Sequence, residues 1–197
     1  MHLLSHIDRS FISPRPSRLG LRSAKSADIV FGNASVNTHG VLSGGTDGLE
    51  QIMFSFDITK TLAAAAAVGV TEAVFQDAVA HTKTREQFGQ SIGSFQGIKW
   101  KIADMSVSLD GARLQLYRAA WSKDESPTEF RKNAAMAKWF SCRAAQQSTS
   151  EAIGVLGWRG LETGSRMEKF YCAAKTLEIM EGTSEFQKMV LTQELKI

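Results

Sequence analysis

Near its C-terminus the chain carries IMEGTSEFQK, Ile179 to Lys188, in which Glu181 is followed by Gly182, Thr183 and Ser184 and then by helix-forming residues. A carboxylate on a short connection ahead of a helix has an ordinary use: exposed N–H groups and the positive end of the helix dipole favour an anion there. It also has a chemical use, as an acid or base. What decides between the two is what the rest of the chain places around Glu181.

Other groups capable of chemistry are scattered. Cys142 and Cys172 show no CxxC or Cys/His spacing, and His2, His6, His39 and His81 form no HxxxH pair, so the sequence points to reduced, buried thiols and no metal site. The hexamer SGGTDG, Ser43 to Gly48, lacks the spacing of a GxGxxG or P-loop phosphate cradle and reads as a turn before a helix. With 23 basic and 20 acidic residues spread along 197 positions, the formal charge of +3 forms no polybasic face that would argue for nucleic acid or a membrane surface. No apolar run approaches the ~20 residues of a spanning helix. The longest, TLAAAAAVGV from Thr61 to Val70, reads as part of a helix packed close to a neighbour.

Five helices must position these groups. From Leu49 to about Thr84 there is no proline and the apolar residues run nearly continuously, which predicts a long core helix buried on more than one side. After the break REQFGQSIGSFQG, residues Ile98, Ile102, Met105, Leu109, Ala112 and Leu116 recur at spacings of four and three on a second long helix ending near Trp121, and that stripe reads as core. Ser126, Pro127 and Glu129 form a capping-box pattern that starts a third helix, ending at the glycines of GWRG. Residues 165–177 make a fourth helix, and Thr183 or Ser184 caps a fifth. Long helices on short connections predict an antiparallel, mainly α bundle over residues 48–197.

Residues 1–47 are different. The stretch MHLLSHIDRSFISPRPSRLGLRSAKSA is rich in Arg and Ser with a single acid, Asp8, a composition shared with mitochondrial transit peptides. Pro14 and Pro16 break any long amphipathic helix, however, and SADIVFGNASV alternates in the manner of a strand, so this segment reads as a small β remnant and linker.

The ordered set FDITK (Phe56 to Lys60), TREQFGQSIGSFQGIKWKIADM (Thr84 to Met105), AIGVLGWRG (Ala152 to Gly160) and EGTSEFQKMVL (Glu181 to Leu191) resembles the C-terminal helical domain of acyl-CoA dehydrogenases. RLGLRSAKSADIVFGNASV, upstream, resembles the closing strands of that family's middle β domain. The resemblance implies an FAD-dependent oxidoreductase that removes two hydrogens from Cα and Cβ of an acyl-CoA thioester, with electrons passing to an acceptor such as an electron-transfer flavoprotein. Glu181 matches the family's base, a role that suits a glutamate beside Met180, because a bound acyl chain excludes water and raises a carboxylate's affinity for a proton. Arg85, Gln87 and Phe88 lie where family members reach the FAD of a neighbouring subunit, and Gln96 lies near its adenosine end. Thr183 and Glu185 lie where the family contacts its own FAD. Phe56, Asp57, Lys60 and Gly182 lie near the CoA thioester, with Lys60 in place of an arginine, so the charge is kept but the planar fork is lost.

The departures define a competing reading. Trp158 replaces the second of two adjacent glycines, Gly154 replaces a glutamine, and Cys172 and Ala173 replace an Arg-Asp pair of the family. The N-terminal helical domain and most of the β domain have no counterpart in these residues. The first reading is therefore a truncated or short subunit whose flavin site a partner completes, in a bacterial cytoplasm or a mitochondrial matrix. The alternative is a non-catalytic helical assembly module in which Trp158 closes the old cofactor groove. Both imply a homo- or hetero-oligomer, because large apolar faces are left on the long helices.

Overall fold

The computed structural model describes residues 12–14, 18–24, 26–31 and 48–197. The turn expected at 43–47 and the β-like runs of 32–41 lie outside the described residues. Two short strands, β1 (Ile12–Pro14) and β2 (Ala27–Ile29), pair antiparallel with Ile12 opposite Ile29. The chain then forms α1 (Gly48–Thr84), a small hairpin of β3 (Glu86–Gln87) and β4 (Gln90–Ser91), α2 (Gln96–Glu125), α3 (Pro127–Leu156), α4 (Arg166–Ile179) and α5 (Ser184–Glu194). The mainly α bundle expected from the sequence is the observed fold.

Helix α3 is its centre, packing on α1, α2, α4 and α5. Small side chains let it do so: Ala134, Ala135, Ala137, Ala145 and Ala152 of α3 are fully buried, as are Ala64, Ala67 and Ala78 of α1. Without long side chains between them, helix axes approach closely and dispersion contacts are gained along the whole length. By length and apolar composition alone α1 would pass for a membrane-crossing helix, but it packs on α2, α3 and α4 within this bundle. Its burial lies along one broad face, through Asp57, Lys60, Ala64, Ala67, Thr71, Val74, Ala78 and Thr82, while Leu62, Phe54 and Leu49 are exposed.

The helix ends refine the sequence reading. Helix α2 continues past Trp121 to Glu125, because nothing disfavours the helix until Pro127 excludes the α conformation at Ser126. The capping box at Ser126 does not form. A single residue both closes α2, through its N–H to Ser122 O at 3.1 Å, and opens α3, and this leaves it at φ −147°, ψ 66°, with no side-chain cap. The Glu129 carboxylate pairs with Lys132 instead. Ser165 and Thr183 do cap α4 and α5, accepting from the N–H groups of Glu168 and Phe186.

Residues 18–24 lie against α4. Gly20 sits at φ 69°, and a Cβ there would come within 2.3 Å of Cys172 O. The Thr176 hydroxyl donates to Leu19 O, and Leu21 packs on the core formed by Ala67, Cys142, Ala174 and Leu177.

Candidate active site

Glu181 stands on the four-residue connection, Met180 to Thr183, between α4 and α5 with φ 57°, in the left-handed region that a non-glycine residue seldom adopts. Gly182 follows at φ 90°, where a Cβ would come within 2.8 Å of both Gln187 Nε2 and Phe186 Cδ1. The consequence of this backbone is directional. The Glu181 carboxylate, half-buried, accepts a hydrogen bond from the Thr59 hydroxyl of α1 at 2.6 Å. The cap of α5 is supplied by Thr183. Glu181 therefore turns to another helix, 122 residues away in sequence, while another side chain serves the helix end behind it.

Around this pair lie the other residues singled out near the thioester. Phe56, one turn before Thr59, is 47% exposed. Asp57 and Lys60 are buried and joined by a 2.6 Å ion pair, and the Lys60 ammonium lies 5.6 Å from the centre of the Phe186 ring. Both are thus directed at each other and not outward. Thr183 and Glu185 occupy the exposed first turn of α5, where hydrogen bonds from the Glu185 backbone N–H and the Thr183 hydroxyl hold the Glu185 carboxyl below its ordinary value.

A second group gathers at the α1–α2 hairpin. A cavity of about 740 Å³ is lined by His81, Arg85, Gln87 and Phe88 on one side and by Gly157, Trp158 and Arg159 on the other. Phe88 and Gly89 have φ 53° and 78°, the two positive values of a tight primed turn, and Phe88 is held 91% exposed. Burial first, then the nearby Arg159 and Arg85 guanidinium groups, push the His81 imidazole below its ordinary value. Two guanidinium groups thus lie on the cavity lining. Neither arginine has an ion-pair partner among the described residues, whereas Lys101, also on the wall, pairs with Glu151. Positions above Gly97 and Gly157 are open, since a Cβ on either meets nothing within 4 Å. Gln96, exposed at the start of α2, adjoins the lining residues Phe95 and Gly97.

Unpaired guanidinium groups, exposed aromatic faces and glycines that leave room for a close approach suit the pyrophosphate and adenosine of a dinucleotide such as FAD. Trp158 lines the cavity and is 82% exposed, so it does not fill it. The stripe read as core also reaches this cavity at its first member, Ile98. Glu181 is not among the lining residues, so the predicted site residues fall into two clusters.

Three contributors escaped the sequence reading. Thr59 lies inside FDITK but carries no signal of its own, because a helical threonine can always bond its own backbone. Lys138, fully buried, donates to Glu178 O at 2.7 Å and to Gly182 O at 2.5 Å. Gln187, also fully buried, donates from Nε2 to Glu181 O at 3.1 Å and Gly182 O at 3.0 Å. The signal for Lys138 was a lone cation within the small, apolar run AAMAKWF.

Comparison with known proteins agrees with the fold. The family described as "Acyl-CoA dehydrogenase, C-terminal domain" matches residues 46–196. The chain is 36% identical over 178 residues to a probable acyl-CoA dehydrogenase, YngJ, of Bacillus subtilis, covering 90% of this chain and 47% of that one. It is 34% identical over 184 residues to the mitochondrial short-chain specific acyl-CoA dehydrogenase of Sus scrofa, covering 93% and 45%. Among solved structures, butyryl-CoA dehydrogenase from Megasphaera elsdenii superposes with a TM-score of 0.89 at 31% identity, over 94% of this chain and 48% of that one. The chain spans about half the length of the curated relatives it matches.

Proposed function

The chain belongs to the acyl-CoA dehydrogenase family through its C-terminal helical domain, and from that premise we propose that it serves the FAD-dependent α,β-dehydrogenation of an acyl-CoA thioester with Glu181 as the base. One observation carries the reading: the Glu181 carboxylate is turned away from its own helix end and fixed by the Thr59 hydroxyl at 2.6 Å. A base must be held at a defined place before the substrate arrives, since a misplacement of about 1 Å costs on the order of 10²-fold in rate.

In this reading Glu181 takes the proton from Cα, and the Thr59 hydroxyl aims one carboxylate oxygen while leaving the other for the substrate. Phe56 and Gly182 face the acyl thioester. Asp57 and Lys60, buried as a pair, hold the floor beneath it. FAD, when bound, supplies the acceptor for the hydride that leaves Cβ. Arg85 and Arg159 would hold its pyrophosphate, with Gln87, Phe88 and Gln96 toward the adenosine and Thr183 and Glu185 toward the second flavin of the assembly. These residues form one side of the enclosure of the flavin ring and acyl chain, and an electron-transfer flavoprotein accepts the electrons. The relatives from a bacterium and from mitochondria support a bacterial cytoplasm or a mitochondrial matrix as the setting.

The assembly-module alternative needs Trp158 to close the groove, and the open cavity of about 740 Å³ beside an 82% exposed tryptophan speaks against it. The test is reduction of flavin by acyl-CoA in the FAD-loaded protein. Loss of reduction in Glu181→Gln supports the base; full activity in that variant removes it.

A further inference from the structure

The backbone at Glu181 poses a problem that the base assignment does not solve. Two consecutive residues with positive φ, one of them carrying a side chain, cost of order 1 kcal/mol or more and persist only where neighbours over-determine them. Two buried side chains from different helices do so here. Lys138 of α3 bonds the carbonyls of Glu178 and Gly182, and Gln187 of α5 bonds those of Glu181 and Gly182. The carbonyls on both sides of the base are thus tied from two directions, and Gly182 O is shared between the two clamps.

We propose that Lys138 and Gln187 are positioning residues that together lock the Glu181–Gly182 backbone in its left-handed form and so aim the carboxylate at Thr59 and the substrate. Neither side chain is bonded to the Glu181 carboxylate; both act through the peptide units. The cation is suited to the task because an ammonium has three donors and no acceptor, so it holds the two carbonyls it bonds at once. Gln187 cannot reverse its amide without facing two carbonyls with its own oxygen. The proposal rests on Glu181 as the base for its catalytic consequence, but the locking of the backbone is independent of that.

The test separates the two. In the full chain, backbone NMR of wild type should give order parameters near about 0.85 at Glu181 and Gly182, and Lys138→Met should lower them below about 0.6, with loss of the left-handed carbon shifts at Glu181. Gln187→Met should do the same and stands in if Lys138→Met does not fold. Cys142→Ala, one turn from Lys138 and also buried, controls for general loosening of α3 and should leave both residues rigid. In the FAD-loaded protein Lys138→Met should lose on the order of 10²-fold in kcat with little change in KM, and Lys138→Arg should restore much of it. Unchanged order parameters and shifts in both clamp variants would overturn the proposal. Loss of rigidity with Glu181→Gln still fully active would leave the lock standing and overturn the base assignment alone.

Discussion

Thr59 and Glu181, on the first helix and the last connection of the bundle, meet through a 2.6 Å hydrogen bond. Thr59 Oγ1 also lies 3.1 Å from Phe56 O, but its single proton goes to the shorter contact with the acid. The bond joins two half-buried residues of distant elements, and Thr183, two residues after Glu181, has already taken the capping role.

Thr59→Val keeps the shape and deletes the donor. It should lower stability by about 1 kcal/mol, the net value of an ordinary hydrogen bond, measured by urea denaturation. A double-mutant cycle with Glu181→Ala, which removes the acceptor, should give a nonzero coupling, because the two groups touch. Additive effects would mean that the contact contributes nothing.

Asp57→Asn should be costly for a different reason. It leaves Lys60, 1% exposed, as a buried cation without its counter-ion. Breaking such a pair from one side typically costs about 3–5 kcal/mol. Thermal unfolding should show a far larger drop than for Thr59→Val.

Lys138 makes stability depend on pH. Burial lowers its ammonium below the ordinary 10.5, with Cys142, Glu178, Glu181 and Glu185 acting the other way. Between the lowered folded value and 10.5 the unfolded chain binds the proton more tightly, so this group's penalty is present at lower pH and is relieved as pH rises through that window. The slope is at most about 1.4 kcal/mol per pH unit. Unfolding free energies of wild type minus Lys138→Met should therefore rise with pH toward 10.5, and a flat difference would contradict the burial argument.

Arg85→Ala should weaken binding of ADP to the cavity by about 1.5–3 kcal/mol, as for a charge-assisted hydrogen bond. Arg85→Lys should recover only part, since an ammonium lacks the planar fork. Isothermal titration at two salt concentrations checks both, and a salt-independent affinity unaffected by either change would exclude a phosphate contact.

The bundle was legible because apolar periodicity and Pro127 mark elements directly, as with Met105, Leu109 and Ala112, all buried as expected. Caps were less so: the serine-glutamate pattern at 126–129 is correct in spacing but fails because Ser126 must also end α2. Candidate site residues could be picked out where they sit in short motifs, as with Glu181, Arg85 and Phe88. It was obscure where a contact joins distant helices, since nothing in the local sequence tells Thr59 or Lys138 what it will face. The sequence also could not say whether Trp158 would fill the groove, because that depends on the backbone around Gly157, at φ 60°, where Trp158 ends up exposed.

The central claim is tested most directly by anaerobic bleaching of flavin with a panel of acyl-CoA thioesters, in the FAD-loaded protein, for wild type and Glu181→Gln side by side. The amide keeps the shape and can still accept from Thr59, but it cannot take the α-proton. Bleaching by wild type and none by Glu181→Gln, with flavin bound equally in both, is the result predicted. Undiminished bleaching in Glu181→Gln would contradict it.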